Sequence, residues 1–399
     1  MLKSSINIYA SHYLVAIILG FSSGIFLSNF GREDWNVWLW LLCLIIIINI
    51  YFWKNINIRL SALWFIFILL GYWYYKLLLD NQLINLSTGG IIYLFSNIKI
   101  TFISSLQQIL PEPQASLGAG LIIGGNNLFS YDLKQMFINT GTIHIVAVSG
   151  FNITIMLKIF SQWFRFLGRW VEFIIGTLII IGFIILVGGQ ASVVRAGIMG
   201  WLFLLARVNF RLANIRNGLF ITGFFMLLQE PSILIKDIGF QLSFIAMLGL
   251  IYISPIIAIL FTKLKRLNFL PNFIKLALQE TLAAQIAVAL IIAGHFGRLS
   301  LIAPIPNMLI VPILFAPMLM SLLIGLLAIA IHTTAIFFSI PLLYLLTYIL
   351  KVIELSNKIP YASVSFEKLN WWWVGVGYGL IIFILYYIYH NAKIKFNPA

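Results

Sequence analysis

The sequence predicts an all-α protein, a polytopic transmembrane helix bundle of about 12 spans in which some segments are broken or re-entrant. Three observations carry that prediction. Of 399 residues, 62% are hydrophobic and only 9% are charged, and the mean hydropathy is +1.03, which excludes a water-soluble core protein. Apolar runs follow one another at 13–27, 35–53, 60–79, 173–187, 240–261, 334–350 and 371–388, and a helix needs about 20 such residues to cross the hydrocarbon layer. Finally, the Lys and Arg residues that make up most of the +14 net charge fall in alternate gaps between these runs.

The first run follows Lys3 and precedes further spans without a small-residue cleavage site, so it reads as a retained helix. Its Gly20-x-x-x-Gly24 permits close helix packing. Cys43 stands alone in an apolar run, which leaves no disulfide framework. Positive charge gathers at Lys54 and Arg59, at Lys158, Arg165 and Arg169, at Arg207, Arg211 and Arg216, and from Lys263 to Lys275. Cytoplasmic loops collect such charge, so these gaps and both termini are expected on the cytoplasmic side of the membrane. The organisation expected is 1–79, N-terminal transmembrane helices; 80–131, an outer-face segment; 132–330, the core; and 331–399, C-terminal transmembrane helices. The outer segment holds Gly118, Gly120, Gly124 and Gly125. With no strand before them and no Lys-Ser or Lys-Thr after, these glycines point to helix packing rather than a phosphate loop. Trp371, Trp372 and Trp373 open the last span as an interfacial anchor.

Polar groups and helix breakers are costly in lipid, so their positions mark candidate functional residues. His144, Ser149 and Asn152 fall with Gly141 and Gly150 inside one apolar span, which is expected to break midway and border a wet path or a helix contact. A Ser149 and His144 nucleophile and base pair is the weaker alternative, because no G-x-S-x-G elbow is present and no acidic residue lies nearby in sequence. Next, Gly188-Gly189 forms a tight outer turn before Gln190, Ser192 and Arg195, placing a guanidinium one turn inside a helix. There it either meets an anion or reaches back to the interface. Third come Gln241, Ser243 and Phe244, followed by Gln285, His295, Asn307 and four prolines, Pro304, Pro306, Pro312 and Pro317. Amides and hydroxyls of this kind line a path or bond helix to helix. The five histidines are scattered and acidic residues total eleven, so no metal site and no cofactor is expected.

The segments Leu121 to Gly124 and Phe137 to Asn152, with Thr140-Gly141, His144 and Ala147-Val148-Ser149-Gly150, resemble the opening motif of the competence domain of the ComEC family of bacterial DNA-uptake channels. Gly189, Ser192, Arg195-Ala196 and Met199 resemble its second block, Pro231 with Gly239 to Phe244 its third, and Ala284-Gln285 through Phe296-Gly297, Ser300, Asn307 and Pro312 its fourth. The resemblance implies an inner-membrane channel passing single-stranded DNA into the cytoplasm during natural transformation. His144, Ser149, Asn152, Gln190, Ser192, Arg195, Gln241, Ser243, Phe244 and Gln285 would lie along the path. Segment 80–131 is too short and too apolar for the OB-like module of fuller members, and no metallo-β-lactamase-like domain follows the last run. The resemblance therefore implies membrane lipids and DNA as direct partners, with the DNA receptor, the nuclease and a cytoplasmic helicase or single-strand-binding protein on separate chains. No catalytic chemistry is expected. The alternatives are a transporter or flippase for a smaller anionic solute or lipid and, further off, an intramembrane hydrolase.

Overall fold

A computed structural model describes residues 2–28, 56–80, 89–124, 128–146, 153, 166, 168–210, 214–263 and 271–391. Helix dominates because Leu, Ile, Phe and Ala fill the runs and because a backbone in lipid must satisfy its own hydrogen bonds. In chain order the helices are α1 (Leu2–Ser28), α2 (Ile56–Asp80), α3 (Gly89–Ile109), α4 (Gln114–Ile123), α5 (Tyr131–Asn139), α6 (Ile143–Val146), α7 (Arg169–Val187), α8 (Ala191–Val208) and α9 (Ile215–Gln229). They continue as α10 (Ile233–Lys236), α11 (Ile238–Tyr252), α12 (Ser254–Lys263), α13 (Asn272–Phe296), α14 (Pro304–Ile310), α15 (Phe315–Ala330), α16 (His332–Asn357) and α17 (Trp371–Asn391). A single two-stranded antiparallel ribbon among the described residues, β1 (Arg298–Ser300) with β2 (Ser363–Ser365), departs from an all-helical reading.

Local chemistry sets the helix ends. The Ser130 hydroxyl accepts from the Leu133 N–H at 3.4 Å to open α5, and Asn214 Oδ1 accepts from the Asn217 N–H at 3.1 Å to open α9. Gly188 (φ 89°) closes α7, and Gly297 (φ 60°) closes α13, each in the left-handed region that glycine enters without a Cβ penalty.

The contacts divide the chain into two units, one of residues 1–87 and 211–241 and the other of 88–210 and 242–397. In the first, α1 and α2 meet backbone to backbone. A Cβ on Gly24 would lie 1.9 Å from the Ile68 carbonyl oxygen, one on Gly20 2.2 Å from that of Trp64, and one on Gly71 2.1 Å from that of Phe21. The Gly20-x-x-x-Gly24 spacing is thus used within the chain. Phe21 packs edge-on against Phe224 of α9 at 5.2 Å, and the Tyr74 hydroxyl donates to the Leu228 carbonyl. Gly24→Val is expected to destabilise the protein by at least about 1–3 kcal/mol, because backbone cannot yield as a side chain can. Gly182→Ala in α7, with nothing within 4 Å of the added methyl, is the control. Thermal unfolding in detergent separates the two, and equal melting temperatures would show that the seam tolerates side chains.

In the second unit α4 is the centre. Ala115, Leu117, Ala119 and Leu121 are wholly buried and share one core with Leu106 of α3, Met318 of α15, and Leu342, Leu346 and Ile353 of α16. Gly118 faces Ser321 and Leu346, while Gly120 faces Val146 and Phe129, so these two of the clustered glycines Gly118, Gly120, Gly124 and Gly125 serve helix packing. Five helices, α7, α8, α13, α16 and part of α17, are long and apolar enough to cross a bilayer. Two bent pairs, α11 with α12 (42°) and the 304–313 segment with α15 (51°), bring the number among the described residues to seven. The run at 35–53 lies outside the described residues.

Candidate functional site

Helix α5 ends in a packed turn. Thr140 and Thr142 are both fully buried, their hydroxyl oxygens 2.8 Å apart, and the Thr142 N–H donates to the Phe137 carbonyl at 2.9 Å. Gly141 between them has φ 67°, and a Cβ there would lie 2.6 Å from Ala303 Cβ and 3.0 Å from Ser300 Cβ. The turn therefore presses directly on the segment after β1. His144 Nδ1 lies 3.0 Å from the Gly141 carbonyl oxygen; a carbonyl only accepts, so Nδ1 carries the proton and, in the neutral ring, Nε2 is the acceptor. From α13, Gln285 Nε2 donates to the Ser300 carbonyl at 2.7 Å, while its Oε1 is buried without a hydrogen-bond partner. His144 and Gln285, 141 positions apart, are thus brought to two sides of one junction. Ser149 and Asn152 lie outside the described residues.

The second group is built on α8. Gly188 and Gly189, with φ of 89° and 67°, make the expected turn, and the Gln190 carbonyl accepts from Val193 and Val194 to start the helix. Gln190 is exposed and Ser192 half-buried, both ahead of Arg195. Arg195 is 7% exposed, its Nη1 reaching Met199 Sδ at 3.9 Å and its Nε buried without a hydrogen-bond partner. No carboxylate among the described residues pairs with it. At the other end of the same helix Arg207 is paired with Glu172 of α7. Among the described residues, one cation of α8 is therefore neutralised by a carboxylate and the other is not. Ile153, the residue after Asn152, packs with Val193 and Ala196 on either side of Arg195 and with Phe183 and Val187, so the chain following the first motif reaches the wall that holds this guanidinium.

The third group lies along α11. Asp237 Oδ1 accepts from the Phe240 N–H at 2.8 Å and caps the helix. Gln241 donates through Nε2 to the carbonyls of Leu234 and Ile235 at 3.0 and 2.9 Å, satisfying two ends of the short α10. Its carboxamide nitrogen has structural work here. Ser243 Oγ is buried without a hydrogen-bond partner, and Phe244 is half-buried.

The sequence model of the competence protein family matches residues 121–391, more than half the chain and inclusive of every group above. The chain belongs to the competence protein family. ComE operon protein 3 of Bacillus subtilis (strain 168) is 26% identical over 223 residues, which are 55% of this chain and 27% of that protein; the alignment thus spans about a quarter of the relative's length. No solved structure matches.

Within this competence domain the structure gathers a cluster that the sequence did not mark. Arg298, at the start of β1, donates through Nη1 to Gln135 Oε1 at 3.1 Å and Asn139 Oδ1 at 3.2 Å. Asn139 Nδ2 donates to Asn357 Oδ1 at 3.1 Å, and the Ser363 hydroxyl of β2 reaches Asn139 Oδ1 at 3.4 Å. Four elements, α5, β1, α16 and β2, are joined by neutral oxygens around one guanidinium. The only sequence signal was the position of Arg298 between Gly297 and Ser300 of the fourth block.

Proposed function

We propose that this competence-family protein forms the membrane passage through which single-stranded DNA enters the cytoplasm in natural transformation. The observation that carries the reading is Arg195, a buried guanidinium without a carboxylate partner among the described residues, on a wall reached by the chain that follows the first family motif. A single strand brings one negative charge per nucleotide and stackable base faces, so a path for it calls for cations, amides and aromatic surfaces and no base-specific readout. Buried polar atoms without hydrogen-bond partners among the described residues, Arg195 Nε, Ser243 Oγ, Gln285 Oε1 and Asn307 Oδ1, recur across the family blocks, which suits a body that bonds a polar cargo or water at those points. In this reading His144, Ser149, Asn152, Gln190, Ser192, Arg195, Gln241, Ser243, Phe244 and Gln285 border the path. About 12 spans alternate across the bacterial inner membrane with both termini cytoplasmic, as the Lys and Arg pattern implies. The core at 132–330 forms the passage, 1–79 and 331–399 are the N-terminal and C-terminal transmembrane helices, and 80–131 is the outer-face segment. The chain performs no catalysis and needs no cofactor; the receptor, the nuclease and a helicase or single-strand-binding protein act from separate polypeptides, in contact with the membrane lipids around this one.

The test is uptake of fluorescent transforming DNA in cells carrying a complete deletion, Arg195→Ala or His144→Ala, with membrane abundance measured in parallel. DNA that reaches the outer face of the inner membrane but not the cytoplasm, at normal abundance, is the expected result. Wild-type entry in both well-expressed variants would remove these two residues from the path. Unaltered entry in the deletion would turn the reading to a carrier of a smaller anion or lipid.

A further inference from the structure

We infer that Arg298, on the β1–β2 ribbon, is a preset binding site for a backbone phosphate of the single strand, which rests on the passage reading and adds to it the point where the strand is first held.

A guanidinium carries five N–H donors on one rigid plane. Arg298 commits Nη1, which donates to Gln135 Oε1 at 3.1 Å and to Asn139 Oδ1 at 3.2 Å. Asn139 is itself fixed, because its Nδ2 donates to Asn357 Oδ1 at 3.1 Å and so turns Oδ1 toward the guanidinium. The plane is thus held at one corner. The N–H groups on Nε and Nη2 lie along one remaining edge and bond nothing among the described residues. Arg298 is half-buried, and these free nitrogens are not sealed from solvent. The holders are amide oxygens, which orient a cation without cancelling its charge. The carboxylates of this unit are Glu112, Asp132, Glu172, Glu280, Glu354 and Glu367, all among the described residues, and Arg298 forms an ion pair with none of them. An oriented edge of N–H donors with its charge intact is the geometry that takes two oxygens of a phosphate.

The surroundings favour a nucleic-acid strand as the source of that phosphate. Gly297, just before Arg298, lies so close to the 366–368 backbone that a Cβ there would be 2.6 Å from the Phe366 carbonyl oxygen and 3.5 Å from Lys368 Cγ. A second cation therefore stands beside the first. Lys358 is taken by Glu354, which leaves Lys368 and Arg298 as the two cations of the ribbon without a carboxylate partner among the described residues. Phe366 follows β2 and Tyr361, 83% exposed, precedes it. Tyr361 is held at φ 60°, a conformation uncommon for a bulky residue. Aromatic faces beside cations serve a single strand without base readout, whereas a lipid headgroup brings the phosphate but no base to stack. With the C-terminus cytoplasmic, as proposed above, the end of α17 that opens at Trp371 faces outward, and the ribbon joined to it lies on the side from which the strand arrives.

The full chain in phosphatidylcholine nanodiscs is titrated with fluorescent oligothymidylate across a salt series, and phenylglyoxal, which condenses with accessible guanidinium groups, is used with peptide mass spectrometry to find which arginines the strand shields. Gln135→Glu gives Arg298 a carboxylate in place of an amide oxygen, so the protein should melt no lower than the wild type. Its strand affinity should nevertheless fall roughly ten-fold, and the slope of log affinity against log salt should shrink by about 0.7, the share of one phosphate contact on a single strand. A purely structural arginine would move the melting temperature and leave the slope alone. Arg298→Lys should keep the slope and lose part of the affinity. In the wild type, oligothymidylate should suppress the phenylglyoxal adduct at Arg298, a readout that needs no variant to fold. Wild-type affinity and slope in Gln135→Glu, or an adduct that the strand does not suppress, overturns the inference. Suppression by phosphatidylglycerol and not by the strand does so too, and makes this a headgroup site. A strand that binds with Arg298 unshielded removes this site alone, because the passage reading stands or falls on DNA entry in cells.

Discussion

Arg195→Met is expected to lower entry of transforming DNA into the cytoplasm roughly ten- to hundred-fold, the loss of one charge-assisted contact of about 1.5–3 kcal/mol, while leaving the protein as stable as the wild type or more so. The two halves of that expectation come from one geometry. The guanidinium is buried and, among the described residues, bonds a methionine sulfur through Nη1 and leaves Nε without a hydrogen-bond partner. A desolvated, unpaired cation is a cost to the fold, and an unbranched apolar side chain of similar length removes that cost without opening a cavity. For an ordinary core residue, stability and function fall together; here they are expected to move apart. Arg195→Lys keeps the charge but loses the planar fork that matches a phosphate, so its entry rate should fall between the other two. The measurements are the melting temperature of the purified protein in detergent and DNA entry per cell at matched abundance. A lower melting temperature in Arg195→Met, with entry falling only in proportion to abundance, would make Arg195 a structural residue. Arg207 supplies the contrast on the same helix: paired with the buried Glu172, its replacement removes an ion-pair partner from that carboxylate and should destabilise the protein.

How far such features could be read in advance depended on whether their cause was local. Gly188-Gly189 followed by a helix with an arginine one turn in is a statement about adjacent residues, and the positive φ values and α8 follow from it. The four prolines between 304 and 317 likewise announced an irregular span, and the bend of 51° lies among them. Close packing at Gly20 and Gly24 was legible as a capacity, but the partner, α2, was not, because a small-residue face does not name what covers it. Gln241 shows the same limit at a single side chain. Its polarity amid aromatic residues was visible, yet the carbonyls it satisfies belong to α10, a helix of four residues that no periodicity reveals. For Arg298 the sequence offered a position within the fourth block but not its partners. Its oxygen partners, Gln135 and Asn139, are more than 150 positions upstream, and the strands that hold it are three residues each, too short for a period-two pattern.

Gly141→Ala is expected to be a strongly damaging small substitution in the competence domain, costing about 2–5 kcal/mol as the sum of two separate effects. The first is conformational: at φ 67° a Cβ meets its own carbonyl, worth about 1–2 kcal/mol. The second is steric: the new methyl would lie 2.6 Å from Ala303 Cβ and 3.0 Å from Ser300 Cβ, and forcing extra volume into a packed contact costs about 1–3 kcal/mol. The two can be told apart. Gly188→Ala, at φ 89° with nothing within 4 Å, carries the conformational cost alone. The double variant Gly141→Ala with Ala303→Gly relieves the closest contact and should recover part of the steric cost but none of the conformational one, giving a favourable coupling in a double-mutant cycle. Additive effects would place the whole penalty in the backbone. The functional consequence follows from what hangs on this residue. His144 is oriented by the Gly141 carbonyl, and Gln285 is tied to the Ser300 backbone that Gly141 touches. A shift of the turn thus displaces both side chains at once. Loss of DNA entry in Gly141→Ala should therefore exceed the loss of folded protein, whereas in Gly188→Ala the two should be nearer to each other, because the exposed glycine turn touches no second motif.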